Sequence, residues 1–101
     1  MAQQTKLGKL ATTVSRDDDG FYRVVFHETT ILKWNEEKII LNSGGWRTAT
    51  TKTRMNQASS QFGLGFDVFQ KDREWFVKYH GKTYSFDDGM ILLVQAVEVL
   101  Q

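Results

Sequence analysis

From Leu10 to Leu41 the apolar positions fall in short runs of β-branched and aromatic residues, each closed by a polar cluster. Such short, closely spaced runs predict an antiparallel meander. Leu10 to Ser15 reads as a strand, and Arg16-Asp17-Asp18-Asp19-Gly20 as a hairpin loop, because Asp tolerates turn geometry and Gly supplies positive φ. Phe21 to His27 returns, Thr29 to Trp34 is a third strand, Asn35-Glu36-Glu37 a turn and Lys38 to Leu41 a fourth strand. Asn42-Ser43-Gly44-Gly45 then breaks the alternation. Thr51, Met55, Ala58 and Phe62 follow at helical spacing, which predicts a short amphipathic helix over about residues 50–62. Thr50 or Thr51 is its expected N-cap and Gly63 its stop. Beyond it, Phe66 to Gln70 is strand-like, Lys71-Asp72-Arg73 a turn, and Glu74 to His80 a strand with Trp75, Val77 and Tyr79 on one face. Gly81-Lys82 turns the chain into Thr83 to Phe86.

The tail reads two ways. Asp87 or Asp88 can cap a helix carrying Ile91, Leu92, Val94, Val97 and Leu100, or the same residues can make an edge strand; the helix is the favoured reading. The expected fold class is α+β. A curved, mostly antiparallel sheet of about six to seven short strands carries one inserted helix and a C-terminal helix. Residues 1–8 are polar and read as a flexible N-terminus, leaving residues 9–101 as a single α+β domain.

Composition narrows the chemistry. At 101 residues the chain is the size of one small domain, and a net charge of +1 gives no whole-molecule attraction to polyanions. Any hold on nucleic acid has to come from a local patch. The absence of cysteine removes disulfides, thiolate metal sites and thiol nucleophiles. The absence of proline leaves glycine and Asn/Asp to punctuate the chain. Met1 to Lys6 lacks the apolar core of a signal peptide, and Met90 to Val94 is too short to span a bilayer. A soluble, intracellular protein without a membrane partner is the expectation.

One stretch departs from the even mixing of charges. No acidic residue occurs between Lys38 and Phe66, and within that gap Ser43 to Gln57 gathers two glycines, a tryptophan, three cations, four threonines and two amides. Paired glycines let the backbone approach a ligand, and a helix beginning just afterwards points its unpaired N–H groups at the same place. The candidate ligand-binding residues are Gly44, Gly45, Trp46, Arg47, Thr48, Thr51, Lys52, Arg54, Asn56 and Gln57. Arg47, Lys52 and Arg54 would neutralise phosphate, Trp46 would stack on a base, and Asn56 and Gln57 would hydrogen-bond base edges or sugar. Lys52, Asn56 and Ser59 share one helix side, away from the apolar stripe. The plainer alternative is a loop, a core tryptophan, helix caps and a solvated basic face. The glycines are followed by no Gly-Lys-Ser/Thr, so this is not a P-loop.

Other groupings are incomplete. Asp17-Asp18-Asp19 lacks the closing glutamate of a calcium loop and reads as a hairpin tip. His27 and His80, even with Glu28, make only part of a metal or acid–base set. Ser85, Asp87 and His80 lack a nucleophile elbow. No catalytic residue, metal ligand or cofactor is assigned. Trp75, Phe76, Tyr79, Tyr84 and Phe86 are expected to fill the core, with some left at an interface.

The segment Leu41 to Gln57, with Phe62-Gly63-Leu64-Gly65-Phe66, Gln70-Lys71 and Lys6 to Ala11, resembles a group of small tailed-bacteriophage proteins of unassigned function. The resemblance covers most of the chain and implies a viral origin and expression in the host cytoplasm. It implies no catalytic residue, cofactor or substrate. By type it favours an early-expressed binder over an enzyme, and it adds weight to a symmetric homo-oligomer while leaving the oligomeric state open. The leading expectation is a non-enzymatic binding protein that holds nucleic acid or a nucleotide through the basic Thr-rich segment. The alternatives are a protein–protein inhibitor of a host enzyme or defence complex, and a minor virion or assembly protein.

Overall fold

The computed structural model describes residues 12–45 and 47–94. Eight strands and one helix follow in the order β1 (Thr12–Arg16), β2 (Tyr22–Phe26), β3 (Thr29–Trp34), β4 (Lys38–Leu41), α1 (Ala49–Phe62), β5 (Phe66–Lys71), β6 (Glu74–Tyr79), β7 (Lys82–Ser85) and β8 (Met90–Leu93). The strands form two sheets where one curved sheet was expected: a five-stranded sheet in the order β1-β2-β3-β4-β8 and a three-stranded sheet β5-β6-β7. All pairings are antiparallel. The α+β class stands.

Local chemistry sets the hairpins. His27-Glu28, Asp72-Arg73 and His80-Gly81 each put two consecutive residues at positive φ, the geometry that matches the twist of the strands it joins. The β3–β4 turn is held by Asn35, whose Oδ1 accepts from the N–H groups of Glu37 and Lys38 at 2.8 and 3.0 Å. In β3 the register slips: Val24 faces Leu32 while Val25 faces Thr30, so Ile31 is an extra, bulged residue. The bulge lets the adjacent Ile31 and Leu32 both be buried.

The helix begins at Ala49, and its cap lies two or three residues before the expected one. Thr48, not Thr50 or Thr51, is the N-cap, and its Oγ1 accepts from the Thr51 N–H at 3.2 Å. Thr51 is instead buried. Gly63 ends the helix in the left-handed conformation, as expected, with its N–H on the Ser59 carbonyl. Met55 and Ala58 pack between the sheets in one core with Val24, Leu32, Trp34, Ile39 and Leu41 of the larger sheet, and with Phe66, Val68, Trp75, Val77 and Tyr79 of the smaller. Of the expected core aromatics, Trp75, Tyr79 and Phe86 are buried, while Tyr84 is exposed.

The tail corrects the favoured reading. Met90–Leu93 is a strand on β4, not the start of a helix, with Leu92 buried and Ile91 and Leu93 exposed. That two-residue alternation suits the pleat of a sheet edge. Asp88, proposed as a helix cap, accepts hydrogen bonds from Ser43 instead. The rest of the expected C-terminal helix, the expected flexible N-terminus (residues 1–8) and the start of the first expected strand lie outside the described residues. No helix among the described residues is long and apolar enough to cross a membrane.

Candidate functional site

A cavity of about 480 Å³ opens where three elements meet. The β2–β3 hairpin contributes Phe26, His27, Thr29 and Ile31, the loop after β4 contributes Ser43 and Thr48, and the first turns of α1 contribute Thr50, Thr51 and Arg54. The β3 bulge supplies Ile31 to the wall. The rings of Phe26 and His27 lie 4.4 Å apart, and the Arg54 guanidinium sits 5.6 Å from the Phe26 centroid.

The loop wall is tightly held. Ser43 is fully buried, and both its N–H and its hydroxyl donate to Asp88 Oδ1 at 2.7 Å. Burial works to raise the Asp88 pKa, but the two Ser43 donors, the Arg47 charge and the Gly45 N–H outweigh it and hold the carboxyl below its ordinary range. Gly44 has φ +65°, and a Cβ there would stand 2.6 Å from Thr29 Cγ2. Only glycine lets this loop lie against the cavity's Thr29.

The electrostatics favour an anion. Arg54 Nη1 donates to Gln57 Oε1 at 3.1 Å, while Nε is buried with no partner. The ion pair recorded among the described residues joins Arg23 to Asp17, so Arg54 has no carboxylate partner there. No acidic residue stands in the first turn of α1, which leaves the positive end of the helix dipole uncompensated at the cavity.

The residues expected to bind ligand are dispersed by this arrangement. Thr48, Thr51 and Arg54 line the cavity. Gly44 packs behind it on Thr29, and the exposed Gly45 donates to Ser43 Oγ at 3.2 Å. Arg47 is turned away, its guanidinium 5.0 Å from the centroid of Phe86. Lys52 is half-buried on the helix, about 200° around the axis from Arg54. The expected convergence of three cations on one patch is therefore absent. Asn56 gives its amide N–H to the Val68 carbonyl and takes the Val68 N–H, each at 2.8 Å. Gln57 is buried. Ser59, expected on an open polar side, is buried and bonded to both backbone groups of Phe66. Trp46 lies outside the described residues.

Phe26, His27, Thr29, Ile31, Ser43 and Thr50 complete the cavity and were not among the expected site residues. Ser43 and Thr50 lay within the flagged segment; nothing in the pattern of the hairpin residues signalled that the hairpin meets the start of α1. The remaining groupings stay apart. Asp17 pairs with Arg23, Asp19 accepts from the Phe21 N–H, and no metal-holding cluster occurs among the described residues. His27 and His80 sit in the hairpin turns of different sheets. No hydrogen bond among the described residues joins Ser85, Asp87 and His80.

Residues 1–93 match the Kyanoviridae Gp96 protein family of tailed cyanophages. The chain belongs to that family. The Gp96 match runs through β8, so the whole cavity lies within it. It bears out the expected tailed-phage origin, and the family description carries no activity. No curated protein and no solved structure matches the chain.

Proposed function

We propose that this phage protein is a non-enzymatic binding protein whose cavity at the start of α1 holds a phosphate-bearing ligand, a nucleotide or nucleic acid, in the host cytoplasm. One observation carries the reading: Arg54 lines the cavity and has no carboxylate partner among the described residues. A bound phosphate would supply the counter-charge that the guanidinium lacks. The threonine hydroxyls and the helix N-terminus add neutral donors beside it. Isotope-labelled protein titrated with nucleotides tests this: amide shifts should concentrate at Thr29, Ser43 and Thr48 to Arg54. Shifts absent there, or unchanged in Arg54→Gln, would overturn it.

A second reading, a binder of a host protein, is favoured by Ile91 and Leu93, which are more than half exposed on the edge strand β8. Capture of a host protein by the wild type, lost in an Ile91→Ser/Leu93→Ser variant and resistant to nuclease, is its expected result.

A further inference from the structure

We infer that the cavity takes one mononucleotide, a small phosphate ester with an aromatic base, and not a nucleic-acid strand. This rests on the phosphate-capture reading above and narrows it.

Size is the first ground. At about 480 Å³, between a hairpin, a loop and a helix, the cavity lies within the range of pockets that take small organic molecules. A strand needs an open groove that tracks successive phosphates.

The placement of charge is the second. A strand would call for cations in series. Among the described residues bounding this cavity, Arg54 is the one cation whose charge is permanent. Arg47 lies over Phe86 and helps to hold Asp88 ionised, and Lys52 is on another side of α1. Elsewhere Arg23 pairs with Asp17, Arg16 lies over Tyr22, and Lys33 and Lys38 approach Phe21. None of these cations lines the cavity beside Arg54.

The make-up of the wall is the third. Phe26 and Ile31 give the wall apolar surface and His27 an aromatic ring, while Arg54 and the hydroxyls of Thr29, Thr48 and Thr50 are polar. Inorganic phosphate would use only the polar groups. A nucleoside monophosphate uses both, with its base against Phe26 and His27.

Calorimetric titration with the four ribonucleoside 5′-monophosphates, their nucleosides, inorganic phosphate and a ten-residue oligothymidylate, each at 50 and 200 mM salt, tests the inference. At least one monophosphate should bind ten-fold or more tightly than its nucleoside and than inorganic phosphate, and lose at least ten-fold in Arg54→Gln. An Arg47→Ala/Lys52→Ala variant should stay within two-fold of the wild type. Spectra of each variant show whether it is folded, and Arg54→Lys, which keeps the charge, should recover part of the loss. Three phosphates of a strand neutralised by Arg47, Lys52 and Arg54 would give a log–log salt slope of about −2. Tighter binding of the oligonucleotide with such a slope, weakened in the double variant, would overturn the mononucleotide and leave phosphate capture standing. Equal binding of monophosphate and inorganic phosphate would do the same. No binding of any probe, or no preference for phosphate over nucleoside, would overturn both.

Discussion

At the start of α1 the side chains of Thr48, Thr51 and Arg54 border open space, whereas one turn further on Asn56 and Ser59 spend their bonds on β5. Asn56 takes and gives a hydrogen bond at Val68, and Ser59 does the same at Phe66, so the helix serves as a surrogate strand along an edge of the smaller sheet. Polar residues on one helix thus do two jobs, decided by what lies opposite. An unpaired strand edge presents backbone groups that must be satisfied, and side chains three apart on a helix can span backbone groups two apart on a strand. At the other end the facing elements are a hairpin and a loop, and the helix start borders the cavity between them.

The strongest way to break this contrast is at the stitched half. Asn56→Ala/Ser59→Ala should lose roughly 3–5 kcal/mol in urea denaturation, because two N–H and two C=O groups of β5 lose their partners. A loss below 1 kcal/mol would show that the bonds to β5 do not hold the helix. At the open end, Arg54→Gln should do the reverse. Nucleotide affinity falls at least ten-fold while stability moves by less than about 1 kcal/mol, read from parallel calorimetric and thermal melts. Gly44→Ala sharpens the picture of the cavity wall. A left-handed φ and a Cβ pressed on Thr29 should together cost about 1–2 kcal/mol and widen the loop, visible as loss of amide-exchange protection at Ser43. The smallest effect is at Asp88, whose folded pKa lies below its ordinary value. The extra stability of wild type over Asp88→Asn should be full above about pH 4, near the unfolded carboxyl pKa, and vanish as pH falls through the lower folded value. A gap that stayed constant across that range would remove the ionised carboxylate from the account.

Much of the fold was legible. Met55, Ala58 and Phe62 with Gly63 marked the helix, and Asn35, Asp72-Arg73 and Gly81 marked turns to within a residue. The division into two sheets was not, because alternation within a strand says which residues share a face and not which sheet receives them. Nor was β8: Met90-Ile91-Leu92-Leu93 suits helix or strand, and what fixes it is pairing with β4, nearly fifty residues earlier. The site was half legible. The acid-free, Thr-rich approach to a helix located one wall in Thr48, Thr51 and Arg54. The opposite wall comes from residues 26–31, and only folding brings it near. Asn56 misled for a physical reason: its amide looks the same whether a base or a strand edge receives it.

The pairing of Leu41 with Met90 has a consequence for how this chain is assembled. Residues 42–89, with α1 and the whole smaller sheet, leave the larger sheet and rejoin it at facing positions. They form an excursion whose two ends meet at Leu41 and Met90, and its helix shares the core of the five-stranded sheet. A transplanted segment between those two points would have to bring apolar cover for Val24, Leu32, Trp34, Ile39 and Leu41, which now share a core with Met55 and Ala58.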